Sequence, residues 1–151
     1  MRRPAQPSLL DWEPPETVRA FPAELVRGAT LAARIARAVS VALAECKRPR
    51  DQIAADMSAW LGETVSVDML NAYASPARAQ HKISLPRYLA VIHATGDRRL
   101  LELLAEPFDW AVIERKHLPM IELAAAREQK DAMDRIVDAA RRKARVAGGL
   151  R

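Results

Sequence analysis

At 151 residues, half of them hydrophobic and 5% aromatic, the chain suits one main domain with extra arms and a core of Ala, Leu, Ile and Val. That Ala-rich, Gly-poor mixture favours an all-α protein, and no segment alternates as a strand would. A net charge of +5 and a pI of about 9.9 permit binding to polyanions, the lone Cys46 excludes an internal disulfide and suits a reducing cytosol, and no apolar run is long enough to span a membrane.

Residues 1–22 read as an extended arm, because Pro4, Pro7, Pro14, Pro15 and Pro22 forbid a long helix. Pro4, Pro7, Asp11 and Glu13 also interrupt what would have to be a signal-peptide core behind Arg2 and Arg3. Leu9, Leu10, Trp12, Val18 and Phe21 argue against a purely solvated tail. Two readings stay open: the arm packs on its own domain, or it docks on a replication or recombination protein. Gln6-Pro7-Ser8-Leu9-Leu10 resembles the short peptides that bind the bacterial replication sliding clamp.

Residues 23–110 read as a helical domain. A first helix is expected from Ala23 to Cys46, with Leu25, Ala29, Ala32, Ile35, Ala36, Val39 and Leu43 as its apolar stripe. Arg27, Arg34 and Arg37 sit off that stripe, on a solvated face. Lys47-Arg48-Pro49-Arg50 breaks the helix, since Pro49 cannot continue the ladder.

The most informative segment follows, at residues 51–75. Ile53, Ala54, Met57 and Leu61 share one face of a helix that Gly62 ends by adopting the left-handed conformation. Ser66 caps a second helix, in which Val67, Leu70 and Tyr73, with Met69 flanking, face the first. This is the outline of a helix-turn-helix, whose second helix commonly enters the DNA major groove. The spacing departs from the common pattern. Ala54 is followed four residues on by Ser58, and Gly62 comes four residues later still, so the first helix is longer or the turn wider than usual. An ordinary helical hairpin serving the core is the competing reading.

Beyond a loop at 76–83, Ser84 caps another helix with Pro86 in its first turn, where a missing N–H costs little. Leu85, Tyr88, Leu89 and Ile92 form its expected apolar face, and Gly96 ends it. Asp97 caps a short helix carrying Leu100, Leu101, Leu103 and Leu104, which Pro107 stops. Phe108, Trp110, Val112 and Ile113 make an apolar connector. Residues 111–151 hold a last long helix, from about His117 to Val146, with a thin stripe and a basic end. Charged residues interrupt that stripe, so a strict heptad coiled coil is not expected. The helix either packs on its own domain or pairs with another copy, which makes a homo-oligomer the expected assembly.

No catalytic constellation stands out, so the expected protein is not an enzyme and needs no cofactor. His81, His93 and His117 are far apart in sequence and from Cys46, and no spacing resembles a zinc site. There is no Gly-rich phosphate loop or nucleophile elbow. Asp51, Asp56, Asp68 and Asp97 read as caps and surface charges.

Double-stranded DNA is the expected partner. On the second helix of the pair, Ser66, Asp68, Asn71 and Ala72 are expected to face outward. Asn71 is the best base reader, because its amide can pair bidentately with adenine N6 and N7. Asp68 repels phosphate unless it accepts from cytosine N4, or it merely favours the positive end of the helix. Arg48 and Arg50 before the pair, and Arg78 and Lys82 after it, would anchor phosphates. Arg141, Arg142 and Lys143 are candidates for non-specific contact, although cations also suit a helix C-terminus for dipole reasons.

The segment IAADMSAWLGETVSVDMLNAYAS, followed by HKISLPRYLAVIHATGDRRLLELLAEPFDW, resembles small helical proteins from the early or middle region of Mu-like transposable phages and prophages. The likeness covers about Lys47 to Trp110. It implies a phage-encoded DNA-binding or regulatory protein acting in a bacterial cytoplasm, in transcriptional control or support of transposition. Two other classes stay open. One is a packaging protein, since phage small terminase subunits also join a helix-turn-helix to helical oligomerisation segments. The other is an adaptor that docks through its N-terminal arm without reading DNA.

Overall fold

A computed structural model of the chain describes residues 17–77 and 82–148. Leu9, Leu10, Trp12, the clamp-like peptide and Arg78 lie outside the described residues. Those described form an all-α protein with six α-helices and two 3₁₀ turns, and no strand occurs among them. The chain divides into two units, Met1–Val112 and Ile113–Arg151.

The first helix, α1, runs Leu31–Glu45, eight residues later than the expected start at Ala23. Three local features explain the delay. Leu25 N donates to Pro22 O at 3.0 Å, closing a turn where the helix was expected. Gly28 lies so close to α1 that an added Cβ would sit 2.9 Å from the Arg34 backbone nitrogen. Thr30 then caps the helix, its hydroxyl accepting from Ala33 N at 3.1 Å. The stripe shifts accordingly. Leu25 is exposed and Val26 buried, and α1 buries Ala38, Val39, Ala42 and Leu43. The end of the arm is part of this core: Phe21 is buried, and the Arg99 guanidinium lies 4.3 Å from its ring centroid.

Helices α2 (Arg50–Leu61) and α3 (Val67–Tyr73) carry the expected signals. Gly62 ends α2 with φ of 71°, and its N–H closes the helix onto Ser58 O at 2.9 Å. The Ser66 hydroxyl caps α3 by accepting from Met69 N at 3.1 Å. Helix α4 (Leu85–Thr95) starts after Ser84, with Pro86 in its first turn, and ends on Gly96 at φ 69°. Its buried side is the expected one only in part. Tyr88 is buried and Ile92 packs on the core as expected, and Ala90, Val91 and Ala94 join them, whereas Leu85 is 63% exposed and Leu89 stands at the surface.

Helix α5 (Arg99–Ala105) begins one residue later than an Asp97 cap would give; Arg98 occupies the cap position. Asp97 still serves the start, its Oδ1 accepting from Arg99 N at 3.1 Å and from Arg99 Nε at 2.9 Å. Helix α5 ends before Pro107, as expected, and Glu106–Phe108 follows as a 3₁₀ turn, which Asp109 ends at φ 59°. In that position proline has no helical partner to lose.

Every helix of the first unit sends a fully buried side chain to one core: Val39, Ile53, Met57, Leu70, Val91 and Leu100. Deleting such a side chain to Ala typically costs about 2–5 kcal/mol. Within this unit α2 packs most extensively on α4, so the α2–α3 pair is the front of a larger bundle rather than an isolated hairpin. The Tyr88 hydroxyl, buried in that bundle, donates to Leu100 O at 2.7 Å and fastens α4 to α5.

The second unit holds a 3₁₀ turn, Arg115–His117, and the long helix α6, Leu118–Gly148. No residue of α6 is buried. Surface ion pairs, Lys130 with Asp134 at 2.6 Å and Arg141 with Asp138 at 3.5 Å, support it locally. Such pairs contribute roughly 0.2–0.5 kcal/mol each.

Candidate nucleic-acid interface

The unusual spacing between Ala54 and Gly62 has a structural reason in Ser58. Its hydroxyl donates to Ala54 O at 2.7 Å and accepts from Val65 N at 2.8 Å. The first bond is a side chain returning to its own helix; the second captures the connector as it comes back toward α3. Val65 is thereby held in the core, only 4% exposed. The link between the helices is therefore five residues, Gly62 to Ser66, after an α2 that continues almost a full turn past Ser58.

Arg87 of α4 braces the same link from the other side. Its Nε donates to Glu63 Oε1 at 2.9 Å, and its Nη1 donates to the Tyr73 hydroxyl at the end of α3. Glu63 first, and Tyr73 second, raise the guanidinium above its ordinary pKa. So α3 is fixed at its start by Ser66 and Val65, at its middle by fully buried Leu70, and at its end by Tyr73.

This anchoring leaves Ser66, Asp68 and Asn71 exposed. Ala72 was expected beside them, but it is buried, because α3 packs against α1 as well as α2 and so has two covered sides. The outward face is narrower and more acidic than a phosphate-binding surface. From Gly62 to Ser75 the chain carries two carboxylates, Glu63 and Asp68, and no Lys or Arg.

Arg48 is engaged: its Nη1 donates to Ala94 O at 3.0 Å and its Nη2 pairs with Asp56 at 2.6 Å, tying the start of α2 to the end of α4. Arg50 is half-buried in the first turn of α2, and Lys82 is exposed ahead of α4. Arg141, Arg142 and Lys143 are exposed on α6, in the second unit. The charge divides unevenly. Met1–Val112 has 14 Lys and Arg against 13 Asp and Glu, a net of +1, and Ile113–Arg151 has 10 against 6, a net of +4.

One surface was missed by the sequence reasoning. Leu85, Leu89 and His93 follow at i, i+4 and i+8 on the exposed side of α4. Trp60 of α2, half exposed, stacks on His93 with ring centroids 5.2 Å apart and planes at 18°. The spacing was visible in the sequence. It was assigned to the core because Leu85 and Leu89 look like core residues, and the alanines that do face inward gave a weaker signal.

Among the described residues no group of three or more His, Cys, Asp or Glu side chains is placed to hold a metal ion. No described helix is long and apolar enough to cross a membrane. Comparison of the chain with protein-family models, curated proteins and solved structures finds no match.

Proposed function

We propose that the chain is a DNA-binding protein of a Mu-like phage or prophage, acting as a homo-oligomer in the bacterial cytoplasm in transcriptional regulation or in support of transposition. The observation that carries this reading is α3 itself. It is a short helix held at both ends and in the middle, with Ser66, Asp68 and Asn71 left outward on a rigid base. Preorganised side chains on a fixed helix are what direct base readout requires. Asn71 is the reader in this scheme, through adenine N6 and N7.

The division of charge supports a division of labour. The first unit, nearly neutral, supplies the reading helix. The second unit supplies electrostatic attraction through Arg141, Arg142 and Arg145. Titration of the full-length protein with duplex DNA across a salt series tests this. The expected result is salt-sensitive binding whose sequence preference changes in Asn71→Ala.

A second reading is favoured by a separate observation. Trp60, Leu85 and Leu89 form an exposed apolar surface with His93. Aromatic residues are enriched at protein–protein interfaces. On this reading the chain is an adaptor for a replication or recombination protein, and Asn71→Ala has no effect on its partner. Replacement of Trp60 and Leu89 by Ser would then abolish capture of that partner while leaving the fold intact.

A further inference from the structure

We infer that α6 pairs with α6 of a second copy in antiparallel orientation, with Glu122 of each copy set against Lys143 of the other. The inference gives the proposed homo-oligomer a surface and a register. It rests on that part of the reading alone, and not on whether α3 reads DNA.

The apolar positions of α6 carry the argument. Leu118, Ile121, Ala125, Ala132, Ile136 and Ala140 recur at intervals of three, four, seven, four and four. Ile121 and Ala132, Ala125, Ile136 and Ala147, and Leu118 and Ala140 keep spacings of eleven or twenty-two residues, with Gln129 and Lys143 at the two polar places of the same pattern. Eleven residues in three turns is close to the natural winding of the helix, so the stripe runs nearly straight along one side. A heptad template misses it for that reason. The stripe is uncovered: Ile121 is 51% exposed and Ile136 63% exposed, and no residue of the helix is buried. A 31-residue helix spans roughly 46 Å, long enough for a continuous seam, and Met120, Leu123, Met133, Val137 and Val146 are exposed off this line.

Two charged residues interrupt the stripe or sit beside it: Glu122 near one end and Lys143 near the other. In a parallel, in-register pair each would meet its own copy, carboxylate against carboxylate and ammonium against ammonium. An antiparallel pair with its two-fold axis between Ala132 and Met133 sets position 122 against 143, 118 against 147 and 125 against 140. Glu122 then faces Lys143, Leu118 faces Ala147, Ala125 faces Ala140 and Ile136 faces Gln129, so the helices approach closely where alanines meet. At the rim the same register brings Glu128 near Arg135. Arg141, Arg142 and Arg145 point away from the seam and stay available at both ends of the pair. Opposite charges at matched positions thus select a second copy of this chain and its direction.

The test uses the full-length chain with Cys46→Ser. Sedimentation across a concentration series should show a dimer. Ile136→Asp should be monomeric while the cooperative unfolding of the first unit is unchanged. Glu122→Lys and Lys143→Glu should each weaken the dimer by about tenfold or more, and the double exchange should restore it. Chains carrying both Glu122→Cys and Lys143→Cys should form a covalent dimer on oxidation, whereas either change alone should not. A monomer at every concentration overturns the inference, as does a dimer insensitive to Ile136→Asp or one that Glu122→Cys alone cross-links. DNA titration of the same proteins separates the two readings. A monomer that binds DNA sinks only the pairing, and a dimer that ignores DNA sinks only the DNA reading.

Discussion

Ser58 connects Ala54 O to Val65 N through one hydroxyl that donates to the first and accepts from the second. Ser58→Ala leaves the Val65 N–H in the core without its partner. The expected loss is about 1–3 kcal/mol, measured by urea unfolding. Tyr88 makes a second residue-scale prediction. Burial first, and the Asp97 carboxylate second, raise its phenol well above the ordinary tyrosine pKa. A group raised in the folded state contributes stability that is complete below its unfolded pKa and is lost as pH rises. Unfolding free energy should therefore fall above about pH 10, and Tyr88→Phe should flatten that alkaline slope. The same variant removes the Tyr88–Leu100 bond between α4 and α5 and is less stable at neutral pH.

At the scale of elements, the parts with local punctuation were legible and the parts decided by packing were not. Gly62, Ser66, Gly96 and Pro86 mark helix ends through their own backbone chemistry, and the structure places the ends of α2, α3 and α4 there. The start of α1 was missed because the Pro22 turn and the close approach of Gly28 interrupt an otherwise helical composition. On α4, Tyr88 and Ile92 were legible as core, but Leu85 and Leu89 were not separable from Ala90, Val91 and Ala94 by helical spacing alone. Stability should follow the structure. Leu85→Ser is expected to change unfolding free energy by less than about 0.5 kcal/mol, whereas Leu70→Ala costs about 2–5 kcal/mol. Of the candidate interface, the outward Ser66, Asp68 and Asn71 could be read from the capped helix. The engagement of Arg48 by Ala94 could not, since it joins residues far apart in sequence.

At the scale of the whole molecule, fold and charge separate. The first unit holds the core and almost no net charge, while the second holds +4 and no buried helical residue. Replacing Arg141, Arg142 and Arg145 together by Ala should lower the salt dependence of DNA binding by about one unit for each phosphate no longer neutralised, with little effect on the unfolding midpoint of the first unit. Arg48→Ala should act in the opposite way, loosening the α2–α4 junction more than it alters the salt slope. The measurement that bears most directly on the account is the binding of full-length protein and Asn71→Ala to phage-derived and random duplexes over a range of salt. Tight binding to particular fragments, weakened by salt and changed in sequence preference by Asn71→Ala, is the predicted result. No binding at low salt, or binding that Asn71→Ala leaves unchanged in preference, would contradict it.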